Sequence, residues 1–407
     1  MSATLLNDNI APTQMNQNRT ALVHEWLTDW GGSESVLAEI SRCFLRPDLF
    51  ALIDFLPGEA RARINHGRLT TTFIQSLPFA RSHFWYYLGL MPLAVESLDL
   101  RDYELIVSSN HAVAKGVLTN AEQLHLSYVH SPMRYAWDLH HEYLADYGID
   151  RGLRGWLARL MFHRLRHWDR QTASNVDLYI ANSHNVARRI WRTYRRRAWV
   201  IPPPADLDRF SIAAAKDDYY VVVSRLVSYK RVDLIVRAFG LMPEQKLLVI
   251  GDGPELDNLK KMSGTNIEFL GRRQDGEVAE YLARAKALVF AANEDFGITP
   301  VEAQAAGTPV VAYGQGGALE TVIDATRSAN GTGVFFTRQT PDALSETIHL
   351  HEHTLAAISP EDCRRNAQRF SAQLFHERFT SLRDRACTAW EYTRQRPGSF
   401  ESAVFDE

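Results

Sequence analysis

Cysteine is scarce in this chain: Cys43, Cys363 and Cys387 are the three among 407 residues. They are scattered, odd in number and lack metal-ligand spacing, which excludes a disulfide scaffold and a thiolate-built metal cluster. Long apolar runs are missing too. No uninterrupted stretch reaches the roughly 18 residues needed to cross a bilayer, so any membrane contact is expected to be peripheral. Excess positive charge is also absent, and a formal net charge of -3 excludes a globally basic nucleic-acid binder. Residues 1–18 hold no basic segment leading into an apolar one and read as a flexible tail, not a signal peptide. A reduced, cytoplasmic setting is the expectation that follows. No Walker motif and no Gly-x-Ser-x-Gly elbow occurs, and His349, His351 and His353 are spaced so as to scatter around a helix instead of converging on a metal.

What is present has the balance of an ordinary globular protein, and 407 residues exceed what one compact core holds, so two domains are expected. Short apolar runs alternate with amphipathic segments, the signature of βα units and a parallel sheet. Strands are predicted at 20–24, 50–53, 105–107, 126–129 and 178–180. The run Pro202-Pro203-Pro204 breaks regular structure, and the pattern restarts at 219–223, 247–250, 267–270, 287–290 and 309–312. The fold class is therefore α/β, with two Rossmann-like domains facing each other across a central cleft. The expected divisions are 19–203, a linker at 204–218, 219–365, and a helical segment at 366–407. Ligands of such sheets lie beyond the carboxyl ends of the strands. No boundaries are assigned within 56–100.

Several strand ends carry candidate chemistry. Glu294 follows an apolar strand and Glu302 lies in the next predicted helix, with the loop Phe296-Gly297-Ile298-Thr299-Pro300 between them. Carboxylates there can accept hydrogen bonds from sugar hydroxyls, while a helix N-terminus favours anionic oxygens. Thr299 and Glu302 also fit a capping box with Pro300 at the first helical position, a purely structural alternative for Glu302. Arg225 and Lys230 stand in one strand-end loop, where a guanidinium and an ammonium can grip a diphosphate; a solvated basic loop is the bland alternative. Gly31 and Gly32 precede a helix and permit close backbone approach of a phosphate or sugar, or form a tight turn with Ser33 as N-cap. His130 ends another strand, and Asn110, His111 and Lys115 form a weaker group nearby. Gly251-Asp252-Gly253-Pro254 disfavours a nicotinamide fingerprint, because Leu256 stands where a third Gly is needed.

Together these motifs resemble family 4 of the retaining, nucleotide-sugar-dependent glycosyltransferases, over nearly the whole chain from Ala21 onward. The resemblance implies the GT-B architecture and transfer of a hexose to a hydroxyl with retention. It assigns His130, Arg225, Lys230 and Glu294 to catalysis. Gly31, Gly32, Gly253, Leu270, Arg272, Phe296, Gly297, Ile298, Thr299 and Glu302 go to donor binding, and Asn110, His111 and Lys115 to the acceptor side. The Asp-x-Asp triplet of the other major glycosyltransferase architecture is absent from the strand ends, so neither metal nor further cofactor is expected. The segment 130–138 together with 296–300 looks like bacterial mannosyltransferases of O-antigen and exopolysaccharide assembly. The resemblance thus implies GDP-mannose as donor, with UDP-sugars as the alternative. A sugar-nucleotide epimerase and a non-catalytic nucleotide-sugar binder are the competing classes.

The expected acceptor is a glycan or a polyprenyl-diphosphate-linked intermediate. Trp156, Leu160, Phe162 and Trp168 are interleaved with Arg154, Arg159, Arg164 and Arg166, and Phe84-Trp85-Tyr86-Tyr87-Leu88 lies elsewhere in the same domain. Arg-rich amphipathic segments with interfacial Trp suit an anionic membrane surface, here the inner face of the plasma membrane. An ordinary helix packed on the sheet is the alternative.

Overall fold

The computed structural model describes residues 19–146, 148–149, 151–393 and 399–406; the tail expected at 1–18 lies outside them. The first domain is a seven-stranded sheet ordered β3-β2-β1-β4-β5-β6-β7. Its strands are β1 (Thr20–Leu27), β2 (Asp48–Asp54), β3 (Leu69–Thr71), β4 (Leu105–Asn110), β5 (Leu124–Val129), β6 (Leu178–Ala181) and β7 (Ala198–Val200). The second is a six-stranded sheet ordered β10-β9-β8-β11-β12-β13. It comprises β8 (Tyr220–Val223), β9 (Leu247–Ile250), β10 (Ile267–Gly271), β11 (Ala287–Phe290), β12 (Val310–Tyr313) and β13 (Gly333–Phe336). All pairings are parallel. Burial on both faces explains why the strands read as continuous apolar runs and not as alternating ones: Ala21, Leu22 and Val23 are all fully buried.

Each sheet reverses its strand order once, between β1 and β4 and between β8 and β11, and these switch points open the crevices where ligands of such sheets sit. Every strand expected from the sequence is present. The strands β3, β7 and β13 escaped sequence reading. The first two are three-residue edge strands of intermediate burial, too short and too wet to leave a periodic signal.

The segment at 204–218, expected as a linker, is packed onto the second domain. Phe210 is 2% exposed within that core, and the Ala205 N–H donates to the Phe370 carbonyl at 2.8 Å. The long helix Ala372–Thr393 returns to the first domain, where Phe375, Phe379, Leu382 and Ala386 join the core beneath β1, β4 and β5. His376 reaches Glu39 on the first helix (Gly32–Arg42) at 2.8 Å.

Candidate functional site in the interdomain cleft

The first-domain wall is a buried polar cluster at the carboxyl ends of β1, β4 and β5. Glu25 is fully buried. One of its oxygens accepts from the N–H groups of His111, Ala112 and Ala114 at 3.0, 2.8 and 3.1 Å. The other lies 2.9 Å from His111 Nδ1. Burial opposes the charge, yet the imidazole and the backbone donors win and hold the Glu25 carboxyl far below the usual range. Burial also works against the His111 cation, but Glu25 overrides it and raises the imidazole.

A second string runs beside this pair. Glu34 accepts from the Gly31 N–H and from Ser33 Oγ, both at 3.0 Å. Its other oxygen is 3.4 Å from His24 Nε2. His24 Nδ1 lies 3.2 Å from Ser109 Oγ, which is 2.9 Å from His130 Nε2. Burial, reinforced by the nearby His111 and His24, pushes His130 down to about 3. His130 therefore stands neutral at physiological pH, a hydrogen-bonding group and not a cation.

The second-domain wall consists of loops. Arg225 is exposed and donates to the Tyr229 hydroxyl at 3.1 Å. Lys230 is ion-paired directly with Glu294, each side chain about a fifth exposed. Val227, Ser228, Tyr229 and Arg231 line a cavity of about 730 Å³ whose far side includes Glu142 and Ala145 of the first domain. The acidic loop is held from behind by glycines. The Gly317 N–H donates to the Glu294 carbonyl at 2.8 Å, and a Cβ on Gly316 or Gly317 would stand 2.4 or 2.3 Å from backbone atoms of Glu294 or Phe296.

Several expectations change. Lys115, placed on the acceptor side, is fully buried; its ammonium lies 2.8 Å from Asp169 and donates to Thr172. A buried cation needs a buried anion, so Lys115 belongs to the core. Thr299 and Glu302 make no capping box. The helix begins at Ile298 after Gly297, whose φ of +84° a side chain would strain, and the Glu302 carboxylate is taken by Arg209. Burial raises the Glu302 carboxyl despite that partner. The Phe296 side chain is buried against Phe370, and its backbone packs on Gly317. Ser33 is not the N-cap; Gly31 is, and Glu34 fills its N–H.

Gly253, at φ +157°, is glycine because a Cβ would meet the Leu226 carbonyl at 2.4 Å. The Leu270 side chain lines a flank cavity of about 410 Å³ with Tyr219, Leu248 and Tyr281, while Arg272 is exposed. Asn110 is buried, its amide oxygen accepting from the Lys115 N–H at 3.0 Å. Gly32, Ile298 and Thr299 are open to solvent in whole or in part. Among the described residues no group of three or more His, Cys, Asp or Glu could hold a metal ion.

Sequence reading missed His24, Glu25 and Ser109, whose side chains meet only across separate strands. It also missed Arg209 and Asp295. Asp295 directly follows Glu294, but the arginines that face it come from 134 and 189.

Comparison with known proteins agrees with this architecture. Residues 30–209 match the family model described as Glycosyltransferase Family 4, and residues 205–370 match Glycosyl transferases group 1. A Corynebacterium glutamicum protein named as a GDP-mannose-dependent monoacylated alpha-(1-6)-phosphatidylinositol monomannoside mannosyltransferase is 30% identical over 210 residues, 44% of this chain and 54% of that one. A Mycobacterium tuberculosis D-inositol 3-phosphate glycosyltransferase is 27% identical over 257 residues, 56% of this chain and 53% of that one. The chain thus spans about half the length of the curated relatives it matches. Among solved structures, sucrose-phosphate synthase from Thermosynechococcus elongatus superposes with a TM-score of 0.68 at 19% identity, covering 90% of this chain and 98% of that one. Anabaena HepE in complex with UDP and glucose gives 0.65 at 18%, covering 89% and 99%. At those identities the likeness is one of fold. With the two family models together covering residues 30–370, the chain belongs to family 4 of the GT-B glycosyltransferases.

Proposed function

We propose that this chain transfers a hexose from a nucleotide diphosphate to a hydroxyl with retention of configuration. The observation that carries the reading is the meeting of Lys230 with Glu294, from the loops after β8 and β11, at the second domain's switch point. A bound diphosphate would take Lys230 for itself, with Arg225 beside it, and free Glu294 to accept from sugar hydroxyls. The amides at the start of the helix Ile298–Ala305 add positive potential for the departing phosphate. Neutral His130, from the opposite wall, would contact the sugar's far edge. As the C1–O bond to the diphosphate breaks, the acceptor oxygen bonds C1 from the same face and passes its proton to the leaving phosphate oxygen. No protein nucleophile is needed. Glu302 is the donor-ribose ligand of this reading, which requires Arg209 to share it.

GDP-mannose is the first choice of donor, supported by the name of the Corynebacterium relative. A UDP-sugar is the alternative, favoured by the complex in which Anabaena HepE was solved. The reading extends to a glycan or polyprenyl-diphosphate-linked acceptor in bacterial surface polysaccharide synthesis. Its support is an exposed patch on the first domain: Leu153, Trp156 and Leu157 open the helix Gly152–Gln171, and Trp85 and Tyr86 are likewise exposed. Gly89 packs near Met161 of that helix, so the two segments adjoin. With Arg154 exposed among them, the patch suits an anionic membrane surface. No helix among the described residues is long and apolar enough to cross a membrane.

A thermal-shift panel of GDP, UDP and ADP with their sugars tests the donor, since a ligand bound only by the native state raises its melting point. Acceptor-dependent release of one nucleotide supports transfer. Epimerisation without acceptor supports the competing class, and no shift with any of them contradicts the reading.

A further inference from the structure

A short turn after β6 joins the two walls of the cleft. The helix His184–Tyr194 starts just after β6 in the first domain, and its N-cap is Ser183, whose Oγ accepts from the Val186 N–H at 3.1 Å. That same hydroxyl crosses the cleft. Its proton has two acceptors in reach, Asn182 Oδ1 at 3.0 Å and the Asp295 carbonyl at 2.7 Å, and the shorter bond goes to the second domain. Asn182 in turn donates from Nδ2 to the His130 carbonyl at 2.9 Å. Backbone and side chain thus connect His130 to Asn182, Ser183, Asp295 and finally Glu294.

Parallel contacts reinforce the connection. Asn185 Nδ2 donates to Asp295 Oδ1 at 3.2 Å, and Arg189 and Arg134 lie 3.3 and 3.7 Å from the same carboxylate. Arg134 also donates to the Asn293 carbonyl at 3.2 Å. Glu320, from the second domain, accepts from the His184 and Asn185 N–H groups at 2.7 and 2.8 Å, placing a carboxylate at the positive end of a helix in the other domain. Ser183 is fully buried, and the Asp295 side chain is 12% exposed.

We infer that Ser183 is a positioning residue: its hydroxyl, with Asp295, Arg189 and Glu320 around it, fixes the Glu294 loop against the His130 wall. The inference rests on the transferase reading above, in which His130 and Glu294 hold the same sugar from opposite sides. A displacement of about 1 Å between two such groups costs up to about a hundredfold in turnover. The clasp grips Asp295, the residue directly after Glu294, so the loop bearing the sugar ligand is the loop that is held.

Capping and clasping separate by substitution. Glycine is tolerated at an N-cap nearly as well as serine, so Ser183→Gly keeps the helix start but has no proton for the Asp295 carbonyl. Ser183→Thr keeps both the cap acceptor and the proton. For Ser183→Gly the expectation is a melting temperature close to wild type and unchanged affinity for the nucleoside diphosphate, with kcat lowered about 10- to 100-fold and KM for the donor little moved. Ser183→Thr should hold kcat at about the wild-type value. Wild-type kcat in Ser183→Gly overturns the clasp, as does a loss of kcat that tracks a loss of melting temperature and that threonine does not rescue. A wild type that turns over no nucleotide sugar defeats the transferase reading alone. The clasp is then read from hydrogen exchange at the His184 and Asn185 amides: protection in wild type that Glu320→Ala removes supports it, and rapid exchange in wild type overturns it.

Discussion

On the first-domain wall His24, Glu25 and Glu34 are 0, 0 and 5% exposed, with His24 partnering Glu34 and Glu25 partnering His111; on the second-domain wall Arg225 is exposed, and Lys230 and Glu294 each keep about a fifth of their side chains in solvent. The first arrangement is fixed before any ligand arrives, because each buried polar group would lose its partner by moving. The second trades partners more cheaply, since each member of its pair reaches solvent and can exchange its partner for water or a ligand. A wall of the first kind orients an acceptor and a sugar edge. A wall of the second kind can release its own pair to receive a diphosphate, and the difference matches the division of labour proposed between the domains.

The comparison breaks most visibly at Asp169, in the core behind the first wall. Its carboxylate balances buried Lys115 and accepts from the Tyr194 hydroxyl and the Trp137 indole. Asp169→Ala leaves an unpaired buried ammonium and is expected to cost about 3–5 kcal/mol by denaturant unfolding, whereas replacing both partners, Lys115→Met with Asp169→Leu, should cost much less. A small loss in the single variant would show that the first wall is not as rigidly supported as its burial suggests.

Next in size is the second wall's own chemistry. Lys230→Ala removes the cation assigned to the diphosphate and should lower kcat by about 100- to 1000-fold, while unfolding free energy falls by less than in Asp169→Ala, because the Glu294 left behind still reaches solvent. The two walls thus fail in different currencies, stability behind one and turnover at the other. Near-normal transfer by Lys230→Ala would contradict that division.

Acidification separates the walls further. Burial holds His125 down at about 4 and His130 at about 3, below the ordinary 6.5 of the unfolded chain. Between those values the unfolded state binds the proton and the native state does not, so stability falls as pH drops, by about 2 kcal/mol per histidine from pH 7 to pH 5. His111 works in the opposite sense: its raised imidazole contributes stability fully present below 6.5 and lost as pH rises through its folded value. The depressed carboxyl of Glu25 contributes above its ordinary 4.5 and stays in force at pH 5. Asp177, whose carboxyl burial pushes up to about 6, binds its proton first in the native state and offsets about 1 kcal/mol of this loss. The net expectation is a melting temperature modestly lower at pH 5 than at pH 7, with a shallower slope in His125→Gln. An unchanged slope in His125→Gln would mean that this imidazole is not kept neutral.

The same contrast explains what the sequence reveals. The second wall comes from two short segments: Arg225 and Lys230 stand five residues apart and Glu294 heads one motif, so each is visible as a local pattern to which the family resemblance attaches a role. The strands behind them are buried on both faces and announce themselves as apolar runs. The first wall is assembled from residues 24, 25, 34, 109, 111 and 130, which meet only once β1, β4 and β5 lie side by side. No spacing rule joins His24 to Ser109. Lys115 misleads for the same reason, because its partner is 54 residues away on a helix, and the Arg209 partner of Glu302 goes unread because it comes from a stretch that reads as linker. Edge strands such as β3 and β7 are invisible because length and burial, the two sources of pattern, are both small.

The smallest expected effect lies where the walls are hardest to assign, at the glycine pair. A Cβ on Gly32 would meet nothing within 4 Å, whereas one on Gly31 would stand 3.0 Å from Glu34 Oε2. Neither glycine has a left-handed φ, so backbone strain does not require either. Gly31→Ala therefore presses on the carboxylate that leads through His24 and Ser109 to His130, and should disturb turnover through the first wall. Gly32→Ala presses on no protein atom, and at the first turn of a helix alanine changes stability by less than about 1 kcal/mol, in the favourable direction. If the loop is glycine-rich because a phosphate or sugar approaches its backbone, the new methyl occupies ligand space and KM rises severalfold with the melting temperature unchanged or higher. An unchanged KM in Gly32→Ala, beside an altered kcat in Gly31→Ala, would remove Gly32 from the ligand site and leave the loop as the outer end of the histidine string.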